Sequence, residues 1–261
     1  MDAAEVLTRY DVQLRRDAQA GISGARVERD GRVVRWVADD PASWEAVIFS
    51  DLDAANADEV IAAQVAYFRD RGRRFEWKHY SHDRPRDLAD RLRAAGLRPE
   101  PAEALMVAET ASIPSDGAEP AGIRLVPVRT PADVEMVLRV HEEVFGSSHE
   151  WLRAELLARL TAAVDTGVAV LAMAGDRPVC AARVEFHLGS DFASLWGGGT
   201  LPEWRGRGIY RAMVGYRAGL ARARGLRFLQ VDASPESEPI LLRLGFVRLA
   251  TTTPYVWPPG P

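Results

Sequence analysis

One cysteine, Cys180, and one lysine, Lys78, are all that the sequence holds of either residue. A lone cysteine cannot close an intramolecular disulfide, so stability must come from a buried core, and the expected compartment is a reducing cytoplasm. A basic excess is missing too, since 33 Lys and Arg stand against 37 Asp and Glu for a formal net charge of -4. A general nucleic-acid binder needs a basic face to displace counterions from phosphate, so this balance argues against that class and leaves room only for a local basic site. No apolar run is long enough to cross a bilayer, and the opening "MDAAEVLTRYDVQLRR" lacks a basic patch leading into an apolar core. Neither a membrane span nor a leader is expected. The composition is that of an ordinary globular protein, and the length favours two modest domains or one large one. Arginine in place of lysine, beside abundant alanine, matches GC-rich coding.

The clearest linker is "ASIPSDGAEPAG", residues 111 to 122, polar and without apolar periodicity. The two sides of it resemble each other. "RDRGRRFEWKHYSHD" (69 to 83) and "RARGLRFLQVDASPE" (222 to 236) share Arg-Gly, then Arg-Phe, then an extended apolar run at constant offset, and "LRAAGLRPE" from Leu92 parallels "LRLGFVRLA" from Leu242. Each half reads helix, strand, short helix ending at glycine, strand. Upstream, "ARVERDGRVVRWV" and "AVLAMAGDRPVCAARVEF" both read as hairpins with Asp-Gly or Gly-Asp turns. The matching order of elements predicts a duplicated domain, with residues 1–110 as one copy, 111–122 as the linker and 123–261 as the other.

In the second copy "IRLVPV" predicts a strand, and "TPADVEMVLRVHEEVF" a helix with Thr130 as N-cap and Pro131 at its first position. Val134, Val137, Leu138, His141 and Phe145 recur at helical spacing as its buried stripe. A second helix is expected over roughly 150 to 164, then three antiparallel strands, "GVAVLAMA", "VCAARVEFH" and "FASLWGGGTL". The last runs into "LPEWRGRGIYRAM", where Arg205, Gly206, Arg207 and Gly208 precede a helix with Ile209, Ala212, Met213, Tyr216 and Leu220 on one face. First-turn amides of a helix have no partners within it, and the macrodipole puts partial positive charge there. Glycines admit an anion to that backbone and the arginines add charge, so the stretch reads as a phosphate cradle. It is no nucleotide P-loop, because no Gly-Lys-Ser/Thr follows, and the three-glycine dinucleotide fingerprint is incomplete.

The same stretch resembles the pyrophosphate loop of the GCN5-related N-acetyltransferase (GNAT) family, Gln/Arg-x-x-Gly-x-Gly/Ala after a strand that ends near proline. Arg205 and Gly208 fill the first two defined positions, while Tyr210 replaces the last small residue, either narrowing the site or pointing into the helix core. "RFLQVDAS" is similar to the family's fifth strand and "ILLRLGFVRL" to its short helix, Gly-Phe turn and sixth strand. The resemblance covers most of residues 123 to 261 and, through the repeat, extends in weakened form over the first copy. It implies an α/β (α+β) fold of two tandem GNAT-like domains, each a mixed, mostly antiparallel sheet flanked by helices. It also implies acetyl-CoA as co-substrate, no metal, and direct attack by the amine in a ternary complex without an acyl-enzyme. The implied CoA contacts are Gly199, Thr200 and Leu201 on the fourth strand, Arg205, Gly206, Arg207, Gly208, Ile209 and Tyr210 in the loop, and Ser234, where the family often has asparagine. A turn serine is an equal alternative for Ser234. The repeat places Leu52, Asp53, Ala54 and Ala55 opposite Arg205 to Gly208. Acidic residues at 51, 53, 58 and 59 would repel a pyrophosphate, so the first copy is expected to have lost CoA binding.

Where the family often has its base and acid, this sequence has Trp196 and Leu241. Glu185 is therefore the candidate base, through water, against a solvated strand carboxylate, and Tyr255 the candidate proton donor, against core packing. Cys180, in a strand without an activating base, reads as a buried structural thiol. The loop "FGSSHEW" and the fourth strand offer Glu143, His149, Trp151, Trp196 and Gly197 to an acceptor, and Gly197 to Gly199 read either as room beside the acetyl group or as a strand bulge. The expected partner is a small-molecule primary amine, with no nucleic acid and no membrane, and the chain is expected as a monomer or homodimer. The competing class is a non-catalytic acyl-CoA sensor or partner-binding module.

Overall fold

Thr130 and Pro131 start a helix as their chemistry requires. The Thr130 hydroxyl accepts from the Asp133 amide, the Asp133 carboxylate accepts from the Thr130 amide, and proline takes the first helical position, where its missing N–H leaves nothing unsatisfied. The structure, a computed structural model, describes residues 1–20, 25–40, 43–114, 119–146 and 150–257. In chain order the first half runs α1 (Ala3–Tyr10), β1 (Ala25–Asp30), β2 (Val33–Ala38), β3 (Ala46–Ser50), α2 (Ala57–Asp70), β4 (Phe75–Tyr80), α3 (Leu88–Ala94), β5 (Arg98–Pro99) and β6 (Glu103–Glu109). The second runs β7 (Ile123–Pro127), α4 (Pro131–Phe145), α5 (Glu150–Thr161), β8 (Gly167–Ala174), β9 (Arg177–Phe186), β10 (Phe192–Thr200), α6 (Ile209–Ala223), β11 (Phe228–Ala233), α7 (Glu238–Arg243) and β12 (Val247–Trp257). The succession β1-β2-β3-α2-β4-α3-β6 recurs as β8-β9-β10-α6-β11-α7-β12, with only the two-residue β5 added in the first half. The repeat read from two short matches is thus a repeat of whole elements.

The residues cluster into two compact units, Met1–Met106 with Asp232–Glu238 and Arg248–Pro261, and Val107–Val231 with Pro239–Val247. In the first, β1, β2 and β3 pair antiparallel, β3 pairs parallel with β4, and β4 pairs antiparallel with β12, from Thr252 opposite Tyr80 to Trp257 opposite Phe75. In the second, β7, β8, β9 and β10 form an antiparallel run, and β10 pairs parallel with β11 through Phe192–Ser194. Within each unit the strand pairing is mixed and mostly antiparallel, as expected. The units follow chain order less closely than the boundaries at 110 and 123, because the last strand of the chain completes the first unit. Its Tyr255 and Trp257 pack on the buried Phe75 and Trp77 core there, where Phe68 stacks on Phe75 at 4.2 Å. Each such large side chain contributes roughly 1.5–3 kcal/mol on burial, enough to decide which unit a strand joins.

In the second unit α4 and α5 cover one face of β8–β10, burying Val134, Val137, Leu138, Leu152 and Leu156 on Ala169, Leu171 and Ala181. The other face carries α6 through Ile209 and Met213, packed on Val170, Ala172, Cys180 and Ala182. The expected stripe of α4 is buried at Val134, Val137, Leu138 and His141, but Phe145 is exposed at the helix end. Helix α5 stops at Thr161, short of residue 164. Among the described residues no helix is long and apolar enough to cross a membrane.

Candidate functional site

The arginine-glycine stretch forms a short turn and then α6. Gly206 and Gly208 both have positive φ, +76° and +79°, a region a side chain would strain, and Gly208 is the N-cap of α6. No side chain caps that helix, so its first amides face outward without a protein acceptor of that kind. Arg205 donates from Nε to the Thr200 carbonyl at 3.1 Å, and Arg207 lies over the Trp204 ring at 4.6 Å with Nη2 on the Glu203 carbonyl. Both guanidinium groups are therefore held beside the exposed turn. Ile209 is buried beneath α6, leaving only its backbone to the turn.

Beside the loop, β10 leaves its ordinary register. Trp196 pairs with Arg183 and Gly199 with Ala181, so an irregularity falls between them, with Gly197 at φ +55°. The bulge alternative for this glycine run is the one observed. The space a side chain would take is filled from both sides of the sheet. A Cβ on Gly197 would lie 2.7 Å from the His141 ring and 3.4 Å from Arg183 Nη1, one on Gly198 3.0 Å from the Tyr210 ring, and one on Gly199 2.8 Å from Val144 and 3.2 Å from Phe145. Tyr210 thus lies against the strand rather than inside α6. Past Ser194 no parallel pairing with β11 continues, which leaves that edge of β10 open from Leu195 onward. The Leu201 amide is already given to the Val179 carbonyl at 3.0 Å and its side chain is buried in the α4 core, so Leu201 offers no amide to a ligand. The Thr200 hydroxyl donates to Cys180 Sγ, and burial pushes that thiol up, which suits the structural reading of Cys180.

Cross-strand partners share a face, so Arg183, Glu185, Ser194 and Trp196 all point toward α4 and α5. Glu185 is not a free carboxylate. Its Oε1 takes Arg159 Nη2 at 2.8 Å, and the same guanidinium binds Glu155 at 2.7 Å and the Thr166 carbonyl. Gly167 makes this possible, because a Cβ there would lie 2.1 Å from Arg159. Burial raises the Glu185 pKa, with Arg159 opposing it. His187 meets Ser194 Oγ at 2.6 Å, Ser194 donates to Gln230 Oε1 at 2.6 Å, and burial pushes the imidazole down to about 4.

Two expected groups belong to the other unit. Tyr255 is a core aromatic of the first unit, edge-on to His79 and packed among Phe75, Trp77 and Leu88, the packing alternative weighed for it. Ser234 closes its own turn, its carbonyl taking the Ser237 and Glu238 amides and its hydroxyl facing that of Ser237 at 3.3 Å. Glu143 is exposed on α4, Trp151 and Trp196 are exposed around the bulge, and His149 lies outside the described residues. Sequence reasoning passed over Arg159 and Arg183. An arginine at an inward position of the apolar run "VCAARVEFH" was the available signal for Arg183.

No protein-family model and no curated protein matches the sequence. Its fold matches solved structures along nearly its whole length. One is a GCN5-related N-acetyltransferase from Kribbella flavida, with TM-score 0.73 and 18% identity over 99% of this chain and 96% of that one. Another, from Sphaerobacter thermophilus, gives TM-score 0.64 and 16% identity over 99% and 86%. A tandem GNAT protein from the clavulanic acid biosynthesis pathway gives 0.62 and 13% over 93% and 86%. The fold is that of tandem GNAT proteins.

Proposed function

We propose that the second unit binds acetyl-CoA and transfers its acetyl group to a primary amine, which attacks directly. The observation that carries this reading is the uncapped start of α6, with two positive-φ glycines and two arginines held at its entrance. A pyrophosphate there would accept from the amides of Arg207 to Tyr210 and face both guanidinium groups. The open edge of β10 at Gly199 and Thr200 suits the pantetheine arm. Thioester aminolysis forms a C–N bond and breaks a C–S bond, with one proton leaving nitrogen and one reaching sulfur. In this proposal Glu185 takes the first proton through water, helped by the burial that raises its affinity for one. The second comes from solvent, since Tyr255 sits in a core and Leu241 has no proton to give.

Calorimetry with CoA should find one site per chain, and Gly208→Glu, which adds bulk and negative charge at the cradle, should weaken binding by more than about a hundredfold. Two equivalent sites, or unchanged affinity in the variant, would refute the placement. The second reading, acyl-CoA binding without turnover, draws on one observation: Glu185 is already engaged by Arg159. CoA binding without thiol release across a panel of amines would favour it.

A further inference from the structure

Two arginines lie buried against β9 and β10 at the bulge, one on each face, and among the described residues neither forms an ion pair. Arg217, on the α6 side, is accounted for by hydrogen bonds, with Nε on the Met213 carbonyl at 3.0 Å and Nη1 on the Arg183 carbonyl at 2.9 Å. Arg183 has no such account. It is only 7% exposed, its Nε is buried without a hydrogen-bond partner among the described residues, and its Cζ lies 5.7 Å from the Trp151 ring. A buried guanidinium is costly unless paired, and an apolar side chain of similar volume would fill the place with less penalty. The carboxylates on the same face, Glu155 and Glu185, are both bound to Arg159. Burial lowers the Arg183 pKa despite them, so they do not compensate it.

The geometry points to a carboxylate-binding subsite at Arg183, which makes the acceptor an amine that itself carries a carboxylate and an apolar group. Nη1 lies 3.4 Å from where a Cβ on Gly197 would stand, and the planar fork of a guanidinium matches a carboxylate in two parallel hydrogen bonds. Around it Trp151, Trp196 and Phe145 are exposed by 49%, 38% and 47%, an unusual gathering of large apolar side chains at a surface and a wall suited to an aromatic or aliphatic substituent. An apolar amino acid has this chemistry. The role of the ligand as acceptor rests on the acetyl-transfer reading, whereas the existence of the subsite does not.

The test uses the full chain and simple probes. Phenylacetate has the carboxylate and ring without an amine, phenethylamine has the amine and ring without a carboxylate, and phenylalanine has all three. Calorimetry should show phenylacetate and phenylalanine binding in the millimolar range or tighter and phenethylamine at least about tenfold weaker. Arg183→Met should abolish that preference and Arg183→Lys, which keeps the charge but not the fork, should retain part of it. Thermal melts should show Arg183→Met at least as stable as the parent, which separates loss of the site from loss of the fold. The proposal is overturned if phenethylamine binds as well as phenylalanine, if Arg183→Met keeps its carboxylate preference, or if no carboxylate from acetate to indole-3-acetate binds at millimolar concentration. A parallel CoA titration keeps the two readings apart. Carboxylate binding without CoA binding would sink the transferase reading and leave the subsite standing, and the reverse result would do the opposite.

Discussion

The approaches to α2 and α6 occupy the same place in the repeat and are built from opposite chemistry. Before α2, Asp53 accepts the amides of Ala55 and Asn56 at 2.8 and 3.1 Å, and the Asn56 side chain accepts the Asp53 amide in return at 3.1 Å. That turn supplies its own carboxylate to its own backbone. Before α6, two glycines stand where side chains could have capped, and the nearest charges are positive. The architecture is shared, so it cannot by itself tell a binding unit from a non-binding one. Neither helix has a side-chain cap, so what differs is the turn before it, closed by its own carboxylate in one and built of glycines and arginines in the other.

The comparison breaks most severely if the two halves of the sequence are separated. Since β12 pairs with β4 and places Tyr255 and Trp257 in the first core, a fragment of residues 123–261 should fail to unfold cooperatively, losing stability comparable to that of a whole domain, about 5–15 kcal/mol. Circular dichroism melts of the fragment and of the intact chain check this. A fragment with a sharp transition near that of the full chain would show that the second half folds without the β12–β4 pairing.

Next in size is the proton-accepting step proposed for the unit with the open loop. Glu185→Gln should lower turnover about a hundredfold at neutral pH with CoA affinity unchanged, and the deficit should shrink as rising pH deprotonates the amine in solution. Thiol release measured across pH decides it. Wild-type rates throughout would leave Glu185 as one member of a structural ion-pair cluster with Arg159 and Glu155.

A smaller effect probes the closed loop itself. Asp53→Ala removes the acceptor of two amides and should cost about 1 kcal/mol in urea unfolding. It should create no second CoA site, because Asp51, Asp58 and Glu59 keep the surroundings acidic. A second calorimetric site in this variant would mean that Asp53 alone blocks the first unit.

How much of this could be read beforehand depends on how local the cause is. The N-cap at Thr130, the Asp30-Gly31 hairpin and the glycine turn at 206–208 are fixed by neighbours within a few residues and are legible in the sequence; the reciprocal bond from Asp133 is seen only in the structure. The pairing of β12 with β4 joins strands separated by most of the chain, and no pattern within either announces it. Phe145 fell outside the core because the turn at Gly146 ends α4 there, which periodicity alone cannot see. Alternation gives the face of Glu185, but its bond to Arg159 depends on α5 and the glycine at 167. Tyr255 packs in the first core because β12 pairs with β4, which the order of elements along the chain does not show.

The smallest effect contrasts how the two units respond to pH. In the first unit burial, with Asp232 nearby, pushes Glu103 up to about 7 from its ordinary 4.5. Its protonated form is the one that the fold favours, so its contribution is full below about 4.5 and is lost as pH rises through 7. In the second unit burial pushes His187 down to about 4 from 6.5, so its contribution is full above 6.5 and is lost as pH falls through 4. Glu103→Gln, which imitates the protonated carboxyl, should therefore raise Tm by about 1–3 °C above pH 7 and change little near pH 4. His187→Gln, which keeps a hydrogen-bonding group near Ser194 but cannot take a charge, should gain relative to the parent only as pH drops below 6 and toward 4. Melting curves of both variants at a series of pH values separate the two. If the Glu103→Gln benefit were as large at pH 4 as at pH 8, the carboxyl would already be ionised at the lower pH, and burial in the first unit would not be holding its proton.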